Sequence, residues 1–142
     1  MSVRITFKGF TYHEAGAIQQ VAPILRKVHA SLTRQIATGA RHRVPVLTGN
    51  LGRSIAEDAQ TWPGVLHVSG GVTAWADYAR YVHDGTRPHV IRPRNPGGVL
   101  HFMVGGNHVF VRSVNHPGTK ARPFLRNAAM SVMQSDPRVH GI

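Results

Sequence analysis

Val21, Leu25, Val28, Leu32 and Ile36 follow Ile18 at intervals of three or four residues, and the pattern stops where Val44-Pro45 begins. Apolar residues at this spacing share one face of a helix, so the stripe predicts a long helix from His13 to about Arg41. Gly16 and Pro23 interrupt it, which predicts either a kink or a start near Val21 with Pro23 in the first turn. Ahead of the stripe, Val3, Ile5 and Phe7 alternate with Arg4, Thr6 and Lys8, the period-two pattern of a half-buried strand reaching Phe10. A chain that changes period so early must bury a helix against a sheet.

The remainder is strand-rich. Val44-Pro-Val-Leu47 cannot continue the helix, and Thr48 suits the N-cap of a short helix through Leu51 and Ile55. Glu57 to Trp62 and Val65 to Val72 read as two strands turning at Pro63-Gly64. Trp75, Tyr78, Ala79 and Val82 have helical spacing over Ala74 to His83, with Gly85 as the C-cap. A proline-rich loop from Arg87 to Gly98 holds a short strand at His89-Val-Ile91. A hairpin then forms from Val99–Val104 and Val109–Val114 around Gly105-Gly-Asn-His108. Pro123 opens a last helix through Leu125, Ala128, Ala129 and Val132, which closes near Asp136-Pro137. The order implies one domain over residues 1–142, of α+β class, with a mostly antiparallel sheet against a long N-terminal and a C-terminal helix.

Charge narrows the function. The net charge is +11, with seventeen Lys and Arg against six Asp and Glu, and fourteen of the cations are Arg. Arg grips phosphate and carboxylate through a planar fork, so the bias points to an anionic partner. No acid lies between Gly85 and Ser135, where Arg87, Arg92, Arg94, Arg112, Lys120, Arg122 and Arg126 stand. On the long helix, Lys27, Arg34 and Arg41 are seven apart and share a stripe about 200° from Ile18, Leu25 and Leu32. Two sets, Arg87, Arg92 and Arg94 on the loop and Lys27, Arg34 and Arg41 on the helix, are candidates to face DNA. The loop has the edge, since prolines and glycines suit a projecting segment.

The absence of cysteine excludes disulfides and thiolate zinc sites. The N-terminus shows no signal-peptide pattern, and no apolar run approaches the ~20 residues of a membrane span. A soluble product made in the cytoplasm is the expectation. Ten histidines invite a catalytic or metal hypothesis, but none are paired at i, i+4 on one helix beside a carboxylate. His83 and His89 flank one Gly-Thr turn, and His101 and His108 flank the hairpin turn; hydrogen bonding at strand ends is their expected role. His83-Asp84 are chain neighbours, which does not by itself give the geometry of a triad. No metal site, cofactor or catalytic residue is expected. Phe124 and Leu125 are expected in the core, and Trp62 and Val139 on the surface.

Three segments carry a resemblance: Val44-Pro-Val-Leu-Thr48-Gly49-Asn-Leu51 with Ser54-Ile55, then Tyr78-Ala-Arg-Tyr-Val-His-Asp-Gly85-Thr86-Arg-Pro88-His89, then Pro117-Gly118-Thr119 with Pro123-Phe-Leu125. In order and spacing they are similar to the neck or tail-completion components of long-tailed bacteriophages, the family related to the lambda tail-completion protein Z. The match spans roughly residues 13 to 133, leaving out the N-terminal strand and Arg92–Gly98. The resemblance implies a virion structural protein of the neck or tail region, assembled in the host cytoplasm, without enzymatic activity. Its partners would be copies of itself in a homo-oligomeric ring, other head-tail connector, tail terminator or tail tube proteins, and the double-stranded DNA crossing the channel. Thr48, Gly49, Gly85, Thr86, Pro88, Pro117, Gly118, Thr119 and Pro123 would then be structural turns. The alternatives are a small basic nucleic-acid-binding protein or ribonuclease toxin with His as acid and base, and a binder of an acidic protein.

Overall fold

The apolar stripe becomes one continuous helix, α1 (Ala15–Arg43), which continues past Pro23 rather than beginning there. Pro23 lies well inside the helix, so the expectation of a first-turn proline is corrected. The computed structural model describes residues 2–8, 15–45, 48–64 and 67–139, with side chains throughout these except at 6–8, 15–18 and 62–64. Arg41, His42 and Arg43 fill the last turn, where cations meet the negative end of the helix dipole. Pro45 then forbids continuation.

The fold is α+β, and every strand pairing among the described residues is antiparallel. β1 (Val3–Lys8) is as expected, with Gly9 and Phe10 outside the described residues. It lies along one side of the central strand β4 (His67–Ala74); β2 (Ile55–Glu57) and β3 (Thr61–Gly64) lie along the other, each over part of its length. The expected single strand from Glu57 to Trp62 is therefore two strands. Pro63-Gly64, expected as the turn, belongs instead to β3, and Gly64 pairs with His67 of β4. The break at Asp58 has a physical reason. Its backbone N–H donates to the Gly71 carbonyl at 2.8 Å, while its carboxylate accepts from Arg4 and from Thr73, each at 2.8 Å. One side chain thus ties β1, β4 and the β2–β3 junction together.

The short helix after Pro45 is α2 (Asn50–Arg53), and Ile55 has already passed into β2. Its N-cap is Gly49 at φ 72°, not Thr48, although the Thr48 hydroxyl still accepts weakly from the Asn50 N–H at 3.4 Å. Trp75, expected in a helix, instead follows the end of β4. The helix there is only α3 (Ala79–Asp84), because Ala74 is buried in the sheet and its register with Val3 and Ile55 extends the strand. The final helix, α4 (Phe124–Ser135), starts after Pro123 and ends at Asp136 as expected, followed by a 3-10 turn at Pro137–Val139.

The core sits between α1, α4 and β4. Ile36, Ala37 and Ala40 meet Phe124, Leu125, Ala128, Ala129 and Val132 over Val72 and Ala74, with Leu51 and Ile55 closing one end. Alanines on both helices let their backbones approach closely, and Phe124 and Leu125 are core residues as expected. With 12 residues against 29 in α1, α4 is too short to cover the whole of α1. Val21 and Ile24 remain exposed. Val139 is half-buried, and the Trp62 side chain lies outside those described.

From Arg87 to His116 the chain leaves this body as an arm. β5 (His89–Ile91) pairs β8 (Val114–His116), and beyond them β6 (Leu100–Val104) pairs β7 (Asn107–Val111). Gly105 and Gly106, at φ 57° and 84°, form a two-residue turn tighter than the four residues expected. Residues 92–99 stand on one side of the arm where only 112 and 113 stand on the other, so the proline loop bulges out midway. No residue from Arg80 to Pro123 is buried.

Candidate anion-binding cleft at the root of the arm

The two Gly-Thr segments meet. Thr86 and Thr119 form an isolated antiparallel bridge in the same register as β5–β8, with backbone hydrogen bonds of 3.0 and 3.1 Å. The Arg122 N–H donates to the Val82 carbonyl at 2.9 Å, which ties the end of α3 to the chain entering α4. The turn residues Gly85, Thr86, Pro88, Pro117, Gly118 and Thr119 thus converge at the arm's root. Thr48 and Gly49 lie elsewhere, at the start of α2, and Pro123 at the start of α4.

This root closes one wall of an open cleft of about 1080 Å³. Tyr78, Arg80 and Tyr81 come from α3 and its approach, Arg87 and His89 from one side of the arm, and His116, Lys120 and Arg122 from the other. Tyr78 and Tyr81, three apart, fall on one helical face and are both exposed. Asp84 is the one carboxylate in the lining. It is engaged by Arg80 at 3.6 Å and His83 at 2.7 Å. Beyond the Arg80–Asp84 pair, three cations (Arg87, Lys120 and Arg122) and two aromatic faces line the cleft. That is the chemistry of a surface for phosphates or carboxylates, with flat rings available for stacking.

Of the loop set, Arg87 lines the cleft, while Arg92 and Arg94 ride on the exposed bulge between β5 and β6. The helix set does not form a free stripe. Arg41 donates to the Ile55 carbonyl at 2.7 Å and Arg34 lies 3.9 Å from Glu57, leaving Lys27 simply exposed. Sequence reasoning passed over Lys120, Arg122 and the two tyrosines as a site. Tyr78-Ala-Arg-Tyr81 carried the signal, in aromatics at helical spacing around an arginine.

The histidines hydrogen-bond at strand ends. His89 Nδ1 is 2.8 Å from the Arg87 carbonyl, His116 Nδ1 accepts from the Gly118 N–H at 3.0 Å, and His101 Nε2 stands 2.7 Å from His108 Nδ1. His83 and Asp84 do come together, at 2.7 Å, which neighbouring positions alone did not promise. Yet His83 Nε2 is buried without a hydrogen-bond partner, and the ring stands edge-on to Phe124 at 5.4 Å. The nitrogen a triad would use faces the core, away from any ligand in the cleft. Among the described residues no three His, Asp or Glu side chains are grouped to hold a metal ion, and no helix is long and apolar enough to cross a membrane.

No family model, curated protein or solved structure matches the chain. The phage resemblance accordingly rests on the three sequence segments alone.

Proposed function

We propose that this chain is a structural protein of the neck of a tailed bacteriophage. In this reading its copies form a ring around the DNA channel at the head-to-tail junction and complete the joining of head and tail. Other connector, tail terminator or tail tube proteins contact the ring above and below, in a virion assembled in the host cytoplasm. The protein has no catalytic role. The observation carrying the reading is the clasped, carboxylate-free arm with its cationic root. Two segments of the phage-like pattern, separated in sequence, build that root together, and it offers Arg87, Lys120 and Arg122 to a polyanion. A ring multiplies such cations around a channel, where they hold DNA through phosphates without reading bases.

Native mass measurement and electron microscopy of the purified protein test this directly. A closed ring that binds duplex DNA regardless of sequence, with affinity falling steeply in salt, is expected. A monomer at all concentrations with no DNA affinity would refute the reading.

The second reading, a ribonuclease toxin, draws on the paired His89 and His116 in the cationic cleft. Their ring centroids are 5.1 Å apart and the planes 32° from parallel, so the rings lie against each other. An acid and a base for phosphodiester cleavage must instead stand on opposite sides of the phosphorus. RNA cleavage by the purified protein, lost in His89→Ala or His116→Ala, would establish this reading against the structural one.

A further inference from the structure

Tyr78 and Tyr81 are not needed to build the fold. Along α3 and the residue before it, the inner stripe is Ala79, fully buried, and Val82, which packs against the core. Each tyrosine stands one position earlier, so the two turn about 100° away from that stripe. They are 41% and 59% exposed, and neither ring meets another aromatic ring among the described residues. Both instead line the cleft, in company with Arg87, Lys120 and Arg122. Binding of phosphate alone employs the cations and leaves the rings without a partner. Stacking of bases employs both.

The two histidines of the lining add a hydrogen-bonding edge. His89 Nδ1 donates to the Arg87 carbonyl at 2.8 Å, so in the neutral ring Nε2 is left as an acceptor. His116 Nδ1 accepts from the Gly118 N–H at 3.0 Å, so in the neutral ring Nε2 carries the proton and is a donor. The two are cross-strand partners with ring centroids 5.1 Å apart, which sets one acceptor beside one donor. A carboxylate or a phosphate calls only for donors, whereas the edge of a base offers donors and acceptors together. We propose that the cleft binds an unpaired strand of nucleic acid. Its phosphates meet Arg87, Lys120 and Arg122, its base faces stack on Tyr78 and Tyr81, and a base edge meets His89 and His116. In a duplex the base faces are already stacked on one another, so the rings favour the unpaired strand. This rests on the reading of the cleft as a DNA-binding surface and deepens it by naming the state of the nucleic acid.

The test compares three fluorescent probes of equal length on the full chain by anisotropy: an oligothymidylate, the same strand with abasic sites throughout, and a mixed-sequence duplex. The oligothymidylate should bind about ten-fold or more tightly than the abasic strand, which keeps the phosphates and lacks the rings. It should also outbind the duplex. These comparisons use the wild-type protein and so do not depend on a variant that folds. Tyr78→Leu/Tyr81→Leu should then abolish the advantage of the oligothymidylate over the abasic strand and leave the salt dependence of both unchanged, since the phosphate contacts remain. Equal affinity for oligothymidylate and abasic strand, a duplex bound as tightly as the oligothymidylate, or a leucine variant that keeps the preference would each overturn the inference. So would a polyglutamate peptide that binds more tightly than the oligothymidylate, which would make an acidic protein the partner of the cleft. The ring reading fails separately: a protein that prefers the unpaired strand but stays monomeric keeps this inference and loses the ring.

Discussion

Thr86 and Thr119 exchange both backbone hydrogen bonds, at 3.0 and 3.1 Å, and their hydroxyl oxygens stand 3.0 Å apart. The glycine before each makes the exchange possible. A Cβ on Gly118 would lie 2.2 Å from the Thr86 carbonyl oxygen, and one on Gly85 would lie 2.5 Å from that of Thr119. Two similar Gly-Thr segments are therefore the two halves of one clasp, each glycine clearing space for the other's threonine. The clasp sets the direction in which the arm leaves the body and holds the cleft open beside α3.

Replacing these glycines should loosen the clasp. Gly85 sits at φ 74° and ψ 179°, a region nearly closed to other residues. Gly85→Ala and Gly118→Ala should each cost about 2 kcal/mol or more, and the double variant should cost less than their sum, since both break one bridge. Gly52→Ala, with open space around its Cβ, is the control and should be neutral or slightly stabilising. Urea titrations with all three variants at wild-type stability would remove the clasp from the account.

His29 makes stability depend on pH. Its ring is buried beneath the sheet, Nδ1 is 3.1 Å from the Gln60 amide nitrogen, and burial holds its pKa below the ordinary 6.5. As pH falls the unfolded chain takes up this proton before the folded one does, so protonation favours unfolding. The contribution is whole above pH 6.5 and is lost progressively below it. Unfolding free energy should fall between pH 7.5 and 5.5, and His29→Gln should flatten that fall. Equal slopes in the two proteins would rule His29 out as the source.

Arg41 was legible as a cation but not as a structural donor. Its bond to the Ile55 carbonyl joins α1 to β2, so Arg41→Ala should cost about 1–2 kcal/mol. Lys27→Ala, at an exposed position about four turns earlier on α1, should cost almost nothing. Similar melting temperatures for the two would contradict the distinction.

The long helix, the N-terminal strand, the Phe124-Leu125 anchor and Gly85 as a positive-φ cap were readable because each is a local signal: a period, a proline, a glycine. Failures came where tertiary contacts override local preference. Trp75 to Tyr78 have helical spacing, but pairing Ala74 with both Val3 and Ile55 carries the strand past the point where a helix would start. Pro63-Gly64 looks like a turn, yet β4 pairs with Gly64. The cleft was invisible for a different reason. Its walls come from Tyr78–His89 and His116–Arg122, and long-range contacts, the clasp across 33 positions among them, bring them together.

The cleft should account for most of any affinity for nucleic acid. Arg87, Lys120 and Arg122 line it, and Arg87 and Lys120 make no ion pair among the described residues, so their charge is available to phosphates. Each phosphate neutralised releases counterions, which makes the logarithm of affinity fall with the logarithm of salt by about 0.9 per contact on duplex DNA. Changing all three residues to Gln should therefore flatten the slope by about 2–3 and weaken binding equally for unrelated sequences. The side chains are exposed and the Arg122 bond to Val82 uses the backbone, so the melting temperature should hold. Lys27→Gln/Arg34→Gln on α1 should flatten the slope less, because Arg34 already lies beside Glu57. If the α1 variant lost more of the salt dependence than the cleft variant, the DNA-facing surface would be the helix and not the root of the arm.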